Sequence, residues 1–356
     1  MTEGVISRWY LHEGDAVSRG DEIVDIETEK VANVYESPHS GILRRKLVHE
    51  GRPVPIGALF GIIAARDVKD AEIDTYIENF QSAFSLTEAS TGGASAEVVD
   101  IPGGFIRFLK QGDGAATAAV FVHGFGADLN NWLLNQPVLA ESRLAYAIDL
   151  PGHGGSVKDP KICNIEELAA AVLRFLEARN LSGIHLIGHS LGGGVAARIA
   201  IDRSALVRSL TLIAPVGLGS DINGSFIKGL VEIDRRKDMQ SLLEKLFYDP
   251  ALVSREMTMG VLNAKRVDGA VECLTSIAEG CFNGGHQTHI LRTDLVQLAV
   301  PTQVIWGEAD LIIPPQQAAN LPPSMNVHIV AEAGHMVHLE RAAEVNGLIA
   351  HFLEST

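Results

Sequence analysis

The sequence is poor in cysteine, has no surplus of positive charge and contains no long apolar run. Among its 356 residues only Cys163, Cys273 and Cys281 are cysteines, an odd number without a C-x-x-C spacing. A disulfide framework needs several paired cysteines, so we expect a reducing compartment and place the chain in the cytoplasm. The 29 lysines and arginines face 44 aspartates and glutamates, a net charge of −15 that disfavours nucleic acid and anionic membranes as partners.

The sequence also lacks the signals of membrane insertion and export. No run of 18 apolar residues occurs, and the N-terminus has no basic segment followed by an apolar one. We therefore predict neither a membrane span nor a secretory signal. At roughly 150 residues per domain, the length suggests two domains.

The first 66 residues contain an internal repeat. Residues 4–14 and 41–51 match at an offset of 37, with Gly14 corresponding to Gly51. Each copy has strand-like apolar segments separated by glycine-containing turns. Because one such copy could not bury its apolar face alone, two copies predict two three- or four-stranded sheets packed face to face, as a small β-sandwich or flattened barrel.

Lys30 lies between the two copies, in the segment DIETEKVA at residues 25–32. A lone lysine among acidic residues is ordinarily a solvated side chain, but this one falls at the turn between two related halves. The segment, with E-G-D before it and S-P-x-x-G after it, resembles the lipoyl domains of 2-oxo-acid dehydrogenase complexes. The resemblance implies lipoic acid in amide linkage on Lys30 and a domain over residues 1–66 whose first strand is short. A biotinyl domain typically flanks its lysine with methionines, whereas Glu29 and Val31 stand here.

Residues 67–96 predict an acidic flexible linker. The segment holds six carboxylate residues and one lysine, and it ends in small polar residues and glycines. As a random coil it would span roughly 30 Å. It shows no match to the subunit-binding domain that lipoyl-bearing acyltransferases commonly carry at this place.

From residue 97 onward, short Val/Ile/Leu-rich strands alternate with helical segments. The predicted strands are at residues 118–122, 144–150, 184–187, 210–215, 302–306 and 327–330. This alternation predicts a mostly parallel sheet with helices on both faces. Residues 218–300 form a helical insertion that we expect to be a lid over the site. Its basic segment, residues 235–237, is a candidate for coenzyme A phosphates, although a solvated helix face is the more common use.

Ser190 is the candidate nucleophile, at the centre of the G-x-S-x-G sequence of residues 188–192. An apolar strand precedes it and a helical segment follows, which is the context of a nucleophile elbow. No Gly-Lys-Ser/Thr follows, which excludes a phosphate-binding P-loop. A serine hydroxyl is a weak nucleophile and needs a base with a supporting acid, for which His335 and Asp310 follow in the order typical of α/β-hydrolases. Glu308 is the alternative acid, and His338 the alternative base.

Residues 97–356 therefore resemble an α/β-hydrolase domain with no metal site. The sequence His123-Gly124-Phe125-Gly126 is similar to the H-G-x-G loop of that family, and the resemblance implies that the N–H groups of Phe125 and Leu191 form an oxyanion hole. The loop at residues 149–156 also matches the family and is interpreted as structural. His185 and His189 are interpreted in the same way.

The two domains together resemble the dihydrolipoamide acetyltransferase component of acetoin-cleaving (acetoin dehydrogenase) systems. The resemblance implies acetyl transfer from lipoyl-lysine to coenzyme A, with thiamine-diphosphate-dependent acetoin dehydrogenase subunits and dihydrolipoamide dehydrogenase as partners. The H-x-x-x-D-G motif of the usual acyltransferases is absent, because Ala264 stands where the histidine would precede Asp268 and Gly269. The alternatives are a serine hydrolase, acting on thioesters or C–C bonds with a lipoyl delivery module, and a non-enzymatic scaffold.

Overall fold

The chain forms two compact units, Met1–Gly92 and Gly93–Thr356. The structure is a computed structural model that describes residues 3–27, 32–51, 53–55, 58–77, 80 and 96–356. Within the described ranges, no helix combines the length and the apolar character needed to cross a bilayer.

The small unit is built from two antiparallel sheets. Its strands are β1 (Glu3–Trp9), β2 (Ala16–Val17), β3 (Glu22–Glu27), β4 (Ala32–Glu36), β5 (Gly41–Lys46), β6 (Pro53–Pro55) and β7 (Gly61–Ala64). One sheet has the order β4-β3-β1-β6 and the other has the order β2-β5-β7. Two sheets built from related halves are what the repeat predicts, and the all-β class of this domain is confirmed.

The hydrogen bonds of the small unit repeat at the same offset of 37 residues. The N–H of Gly14 donates to the Leu43 carbonyl at 2.7 Å, and the N–H of Gly51 donates to the Ile6 carbonyl at 2.7 Å. Two carboxylates are paired in the same way: Glu50 accepts the backbone N–H of Trp9 at 2.7 Å, and Glu13 accepts that of Lys46 at 2.5 Å. The bonds cross between the halves, so each half satisfies polar groups of the other.

A helix, α1 at residues 70–77, follows the last strand of the small unit. Its Ile73 is buried, and Asp70 at its start accepts a hydrogen bond from the Arg44 guanidinium at 2.8 Å. The ion pair and the Arg45 guanidinium lower the pKa of Asp70. The first part of the predicted linker therefore packs on the small unit. Residues 81–95 lie outside the described residues, so a flexible tether there stays a prediction.

The large unit contains a seven-stranded sheet. Its strands are β8 (Glu97–Ile101), β9 (Gly104–Val122), β10 (Arg143–Ile148), β11 (Ile184–His189), β12 (Val207–Ile213), β15 (Thr302–Gly307) and β16 (Met325–Val330). The order is β10-β9-β11-β12-β15-β16, with β8 antiparallel to β9. From the second half of β9 to β16 the pairing is parallel, as the buried apolar segments predict.

Helices cover both faces of this sheet. They are α2 (Gln136–Ala140), α3 (Ile165–Ala178), α4 (Leu191–Asp202), α10 (Val337–Glu340) and α11 (Ala342–Glu354). On one face, Phe175 of α3 and Val195 of α4 join the main core cluster. On the other face, Leu139 of α2 and Phe352 of α11 pack with Phe121 of β9. The sheet is thus buried on both sides, which confirms the α/β-hydrolase type of fold.

An insertion between β12 and β15 carries most of the remaining helices. They are α5 (Gly224–Glu232), α6 (Arg236–Leu243), α7 (Arg255–Lys265), α8 (Ala270–Cys281) and α9 (Arg292–Leu295), together with a two-stranded ribbon of β13 (Phe282–Asn283) and β14 (His286–Gln287). Short 3-10 turns complete the unit at Leu129–Trp132, Ser204–Leu206, Glu244–Leu246, Pro250–Leu252 and Pro315–Ala318. The predicted helical insertion is therefore present.

Candidate active site

Ser190 lies in a sharp turn between β11 and α4. Its backbone has φ 54° and ψ −119°, a strained conformation for a residue with a side chain. Glycines make the turn possible: a Cβ on Gly188 would lie 2.3 Å from the carbonyl oxygen of Gly192, and one on Gly192 would lie 2.2 Å from that of Val122. The geometry is that of a nucleophile elbow, which holds the serine at the carboxyl edge of the sheet.

Asp310 and His335 form a buried pair at the same edge. Asp310 follows β15, and its Oδ2 lies 2.7 Å from Nδ1 of His335. Oδ1 accepts the N–H groups of Ile312 and Ile313 at 2.8 and 3.0 Å, and Oδ2 also accepts the indole N–H of Trp306 at 3.0 Å. An ionised carboxylate only accepts hydrogen bonds, so Nδ1 of His335 carries the proton and its Nε2 keeps a free lone pair.

The loop after β9 comes close to Ser190. A Cβ on Gly124 would lie 3.0 Å from the Ser190 Cβ. His123 fixes this loop, because its Nε2 accepts the N–H of Leu150 at 3.0 Å and its Nδ1 then donates to the Gly124 carbonyl at 2.8 Å. Burial, the largest cause, lowers the pKa of His123 and keeps the ring neutral.

Two backbone N–H groups lie at this loop and at the elbow. Among the described residues, neither the N–H of Phe125 nor that of Leu191 donates to a protein acceptor. Phe125 directly follows Gly124, and Leu191 directly follows Ser190. Both predicted oxyanion donors therefore lie next to the serine.

The loop at residues 149–156 is held by one carboxylate, as the structural interpretation predicts. Asp149 is fully buried and accepts the Arg107 guanidinium at 2.6 Å and the N–H of Gly155 at 2.7 Å. Its other oxygen accepts the N–H of Leu129 at 2.7 Å. The side chain of Asp149 thereby ties three segments together without reaching the cavity.

A row of buried rings lies behind His335. The ring centroids of His335 and His189 are 4.7 Å apart, those of His189 and His338 are 4.5 Å apart, and those of His338 and Trp132 are 4.9 Å apart. His189 Nε2 donates to the His335 carbonyl at 3.0 Å. This contact links the elbow to the loop that carries His335.

The histidines of this row other than His335 stay neutral. Burial, followed by the neighbouring His338 and His335 rings, lowers the pKa of His189 well below 6.5. Burial and the nearby His335 lower the pKa of His338 to about 3. The backbone of Asn131 lies beside His338, yet within the described ranges neither ring nitrogen makes a hydrogen bond. The geometry therefore favours His335 over His338 as the base, because His335 contacts Asp310.

Ser190 and His335 both line one cavity of about 460 Å³. The insertion covers it with the apolar side chains of Phe226, Ile227, Leu230, Leu243, Leu246, Phe247 and Val253. Among the described lining residues the only charged side chain is Asp128, and there is no lysine or arginine. The cavity suits an uncharged acyl group.

The other predicted positions are found as follows. Glu308 is exposed, whereas Asp310 contacts His335, so the geometry favours Asp310 as the acid.

Residues 235–237 are exposed and do not line the cavity. Cys273 and Cys281 are buried, Cys163 is half-buried, and all three are free. Lys30 lies outside the described residues, while the strands on either side of it pair with Glu27 opposite Ala32.

Sequence reasoning missed two groups of residues at the site. Trp306 appears only as a strand residue in the sequence, although it stands four positions before Asp310 and donates to it. Leu133 and Leu134 line the cavity while remaining about half exposed, at 58% and 52%. The pair of adjacent leucines beside polar residues is the sequence feature that could have predicted an exposed apolar site.

Comparison with known protein families agrees with this architecture. Residues 119–348 match the alpha/beta hydrolase family, and residues 1–63 match the family described as biotin-requiring enzyme, which comprises biotin- and lipoyl-type domains. Fold and site thus define an α/β-hydrolase with an elbow serine, preceded by a lipoyl/biotinyl-type domain.

Two relatives extend the match over nearly the whole chain. The dihydrolipoyllysine-residue acetyltransferase component of the acetoin cleaving system from Cupriavidus necator is 38% identical over 99% of this chain and 94% of its own length. The protein of the same name from Pseudomonas putida is 39% identical over 99% of this chain and 95% of its own. The chain belongs to this family of acetyltransferase components and is an enzyme.

Solved structures resemble the large unit. The meta-cleavage product hydrolase of Pseudomonas fluorescens IP01 has a TM-score of 0.66 at 21% identity and covers 73% of this chain and 97% of its own. The enol-lactonase of Burkholderia xenovorans LB400 has a TM-score of 0.62 at 21% identity, covering 72% and 100%. At this identity the likeness shows the fold alone.

Proposed function

We propose that the enzyme moves an acetyl group from a lipoyl-lysine thioester to coenzyme A through Ser190, His335 and Asp310. The observation that carries the proposal is the 2.7 Å contact between Asp310 and His335 at a cavity that Ser190 also lines. The names of two relatives that match the chain from end to end supply the acetoin system and the transferase class.

In the first half-reaction, the Ser190 oxygen attacks the thioester carbonyl carbon. His335 Nε2 takes the serine proton, and Asp310 stabilises the resulting imidazolium. When the C–S bond breaks, His335 returns this proton to the departing sulfur, which leaves as a thiol. Acetyl-Ser190 remains, and no electron is gained or lost.

In the second half-reaction, His335 takes the proton of the incoming coenzyme A thiol while the sulfur attacks acetyl-Ser190. The Ser190 oxygen leaves and recovers the proton from His335. The N–H groups of Phe125 and Leu191 stabilise the oxyanion in both halves, and losing one such donor typically costs about 3 kcal/mol of barrier.

Lys30 is the residue that would hold lipoic acid, which when bound supplies a dithiol able to carry an acyl group as a thioester. The small unit has the lipoyl/biotinyl type of fold, and β3 and β4 bracket Lys30 in the sequence. The names of the relatives place those proteins in an acetoin cleaving system. From the family resemblance of the sequence, we propose thiamine-diphosphate-dependent acetoin dehydrogenase subunits and dihydrolipoamide dehydrogenase as partners. We place the reaction in the cytoplasm.

Water competes with coenzyme A for acetyl-Ser190. Water outnumbers a sub-millimolar thiol by roughly 10⁵, which corresponds to about 7 kcal/mol of barrier. The apolar lining of the cavity and the greater nucleophilicity of sulfur favour the thiol. A hydrolase is the second candidate, because no lysine or arginine among the described lining residues would meet coenzyme A phosphates inside the cavity.

Product analysis tests the proposal. Full-length enzyme is mixed with S-acetyl-dihydrolipoamide, with and without coenzyme A, and the products are separated by chromatography. If the wild type forms acetyl-coenzyme A and Ser190→Ala does not, the transferase is supported. Free acetate as the sole product supports the hydrolase, and no product in either case supports a scaffold.

A further inference from the structure

The entrance of the cavity carries exposed apolar side chains. Leu133, Leu134 and Met257 line the cavity and are 58%, 52% and 38% exposed. Single exposed apolar residues are ordinary on a protein surface, but three at the border of one cavity form a patch. Such a patch suits a ligand that is itself apolar.

One side of helix α7 also lines the cavity. Met257, Gly260, Val261 and Ala264 all line the cavity, and their spacing places them on a single helix face. The side chains along this face are small beyond Met257, so the helix leaves a channel.

Gly260 is the residue that packing does not explain. It lies in the middle of α7, where glycine is the poorest helix former after proline. A Cβ built on it meets no atom within 4 Å, so no close approach requires a glycine there. A larger side chain at this exposed position would therefore extend into the open space in front of the helix.

The side chains that line the cavity carry little charge, which favours an uncharged ligand. Asp128, the one carboxylate of the described lining, caps the 3-10 turn by accepting the N–H of Asn130 at 2.9 Å. No cationic side chain of the described residues faces the cavity to pair with a charged ligand. An uncharged alkyl chain is what the entrance fits.

We propose that this entrance binds the alkyl chain on the sulfur side of an acyl thioester, and that Gly260 is its specificity-determining residue. The chain enters between Leu133 and α7 while the acyl carbon reaches Ser190. The identification of this chain as the dihydrolipoyl arm rests on the proposed function. The selection of a long alkyl thiol by the entrance does not depend on that function.

Isomeric thioesters test the proposal with the full-length enzyme. S-octyl thioacetate and S-ethyl thiooctanoate have the same composition and differ in which side of the carbonyl carries the long chain. We expect kcat/KM for S-octyl thioacetate to exceed that for S-ethyl thioacetate by about tenfold or more, because the added methylenes contact apolar surface. The thiooctanoate should show no comparable gain.

A variant of Gly260 and a control variant locate the effect. Gly260→Phe fills the entrance and should lower kcat/KM for S-octyl thioacetate about tenfold, with less than about a twofold change for S-ethyl thioacetate. Gly347→Phe is the matched control, because it makes the same change at an exposed helix glycine that does not line the cavity, and it should keep the wild-type preference. If Gly260→Phe does not fold by circular dichroism, Leu133→Gln replaces it, since that side chain is exposed, and it should also weaken the preference.

The outcomes separate this inference from the proposed function. Three results would contradict the proposed binding of the sulfur-side alkyl chain at the entrance. They are equal kcat/KM for the long and short thiol, a higher kcat/KM for the long acyl chain, and equal losses on both thioacetates in Gly260→Phe. If that preference holds but S-acetyl-dihydrolipoamide is not a substrate, the proposed function fails and the entrance stands. If S-acetyl-dihydrolipoamide is turned over without any chain-length preference, the entrance fails and the function stands.

Discussion

At Asp310 the carboxylate meets four N–H donors, from Trp306, Ile312, Ile313 and His335. This arrangement fixes which nitrogen of His335 bears the proton. The sequence order of serine, acid and histidine predicts the three main residues of the site because it is specific to one fold. The Trp306 contact and the ring row behind His335 depend on packing between distant segments, which spacing along the chain does not reveal.

Asp310→Asn should lower kcat for S-acetyl-dihydrolipoamide by about 10³–10⁴-fold. The single amide oxygen would accept from Ile312 and Ile313, leaving the amide NH₂ against Nδ1 of His335. The ring would then hold its proton on Nε2 and could not accept the Ser190 proton. Steady-state kinetics measures the loss, and Glu308→Gln, at an exposed neighbouring acid, should keep activity. Loss in the control with retention in Asp310→Asn would assign the acid to Glu308.

His338 should make the large unit less stable in acid. Its pKa is about 3 when folded and about 6.5 when exposed on unfolding, so between pH 6.5 and pH 3 the unfolded chain binds the proton and the folded chain does not. The associated stability is complete above pH 6.5 and is lost as the pH falls towards 3. In His338→Phe, the drop in unfolding free energy from pH 7.5 to 5.0 should shrink by about 2 kcal/mol.

Urea unfolding at the two pH values measures this difference. For each protein the unfolding free energy at pH 5.0 is subtracted from that at pH 7.5. The packing energy that His338→Phe gains or loses is the same at both pH values and therefore cancels. An unchanged pH dependence would mean that His338 is already protonated in the folded protein or is not buried.

At the scale of elements, the elbow joins β11, α4 and the loop after β9 within a few ångströms. The strands that meet there are continuous apolar segments, and the sequence predicts their ends within about three residues. It does not predict β8 or the part of β9 before the predicted strand, residues 104–117. The residues of β8 are mostly exposed, so their pattern lacks the apolar continuity of a central strand.

Two Gly→Ala substitutions in helices should have opposite effects. Gly192→Ala places a Cβ 2.2 Å from the Val122 carbonyl oxygen and should cost about 2–4 kcal/mol, with loss of activity. Gly347→Ala, in α11 with no atom within 4 Å of the new Cβ, should gain about 0.5–1 kcal/mol. Denaturant unfolding measures both. If both substitutions change the unfolding free energy equally, α4 can move away from β9 and make room for the new Cβ at residue 192.

At the scale of the whole molecule, the chain combines a repeat-built β unit with an α/β unit. The repeat is visible in the sequence because both copies keep their turn glycines and their crossed carboxylates, Glu13 and Glu50. The packing of α1 through Ile73 is not visible, because one apolar residue in an acidic segment predicts a solvated chain equally well. The predicted role of Lys30 depends on its place between the copies.

Lys30→Arg should separate delivery from chemistry. Intact mass spectrometry of cell-derived protein should show the mass of one lipoyl group on the wild type and none on the variant. Lys46→Arg is the control and should keep the added mass. The Lys30 variant should still cleave free S-acetyl-dihydrolipoamide, because Ser190 and its cavity are unchanged, but should not process acetyl groups delivered by partner enzymes. An unmodified wild type grown with lipoate would contradict the assignment.

The most direct test of the account is to observe the acyl-enzyme. Full-length protein is mixed with S-acetyl-dihydrolipoamide without coenzyme A, quenched in acid within a turnover, and digested for peptide mass spectrometry. We expect one added acetyl group on Ser190, its loss when coenzyme A is added before the quench, and its absence in His335→Ala. Turnover to acetyl-coenzyme A with Ser190 never acetylated, or unaffected by Ser190→Ala, would contradict it.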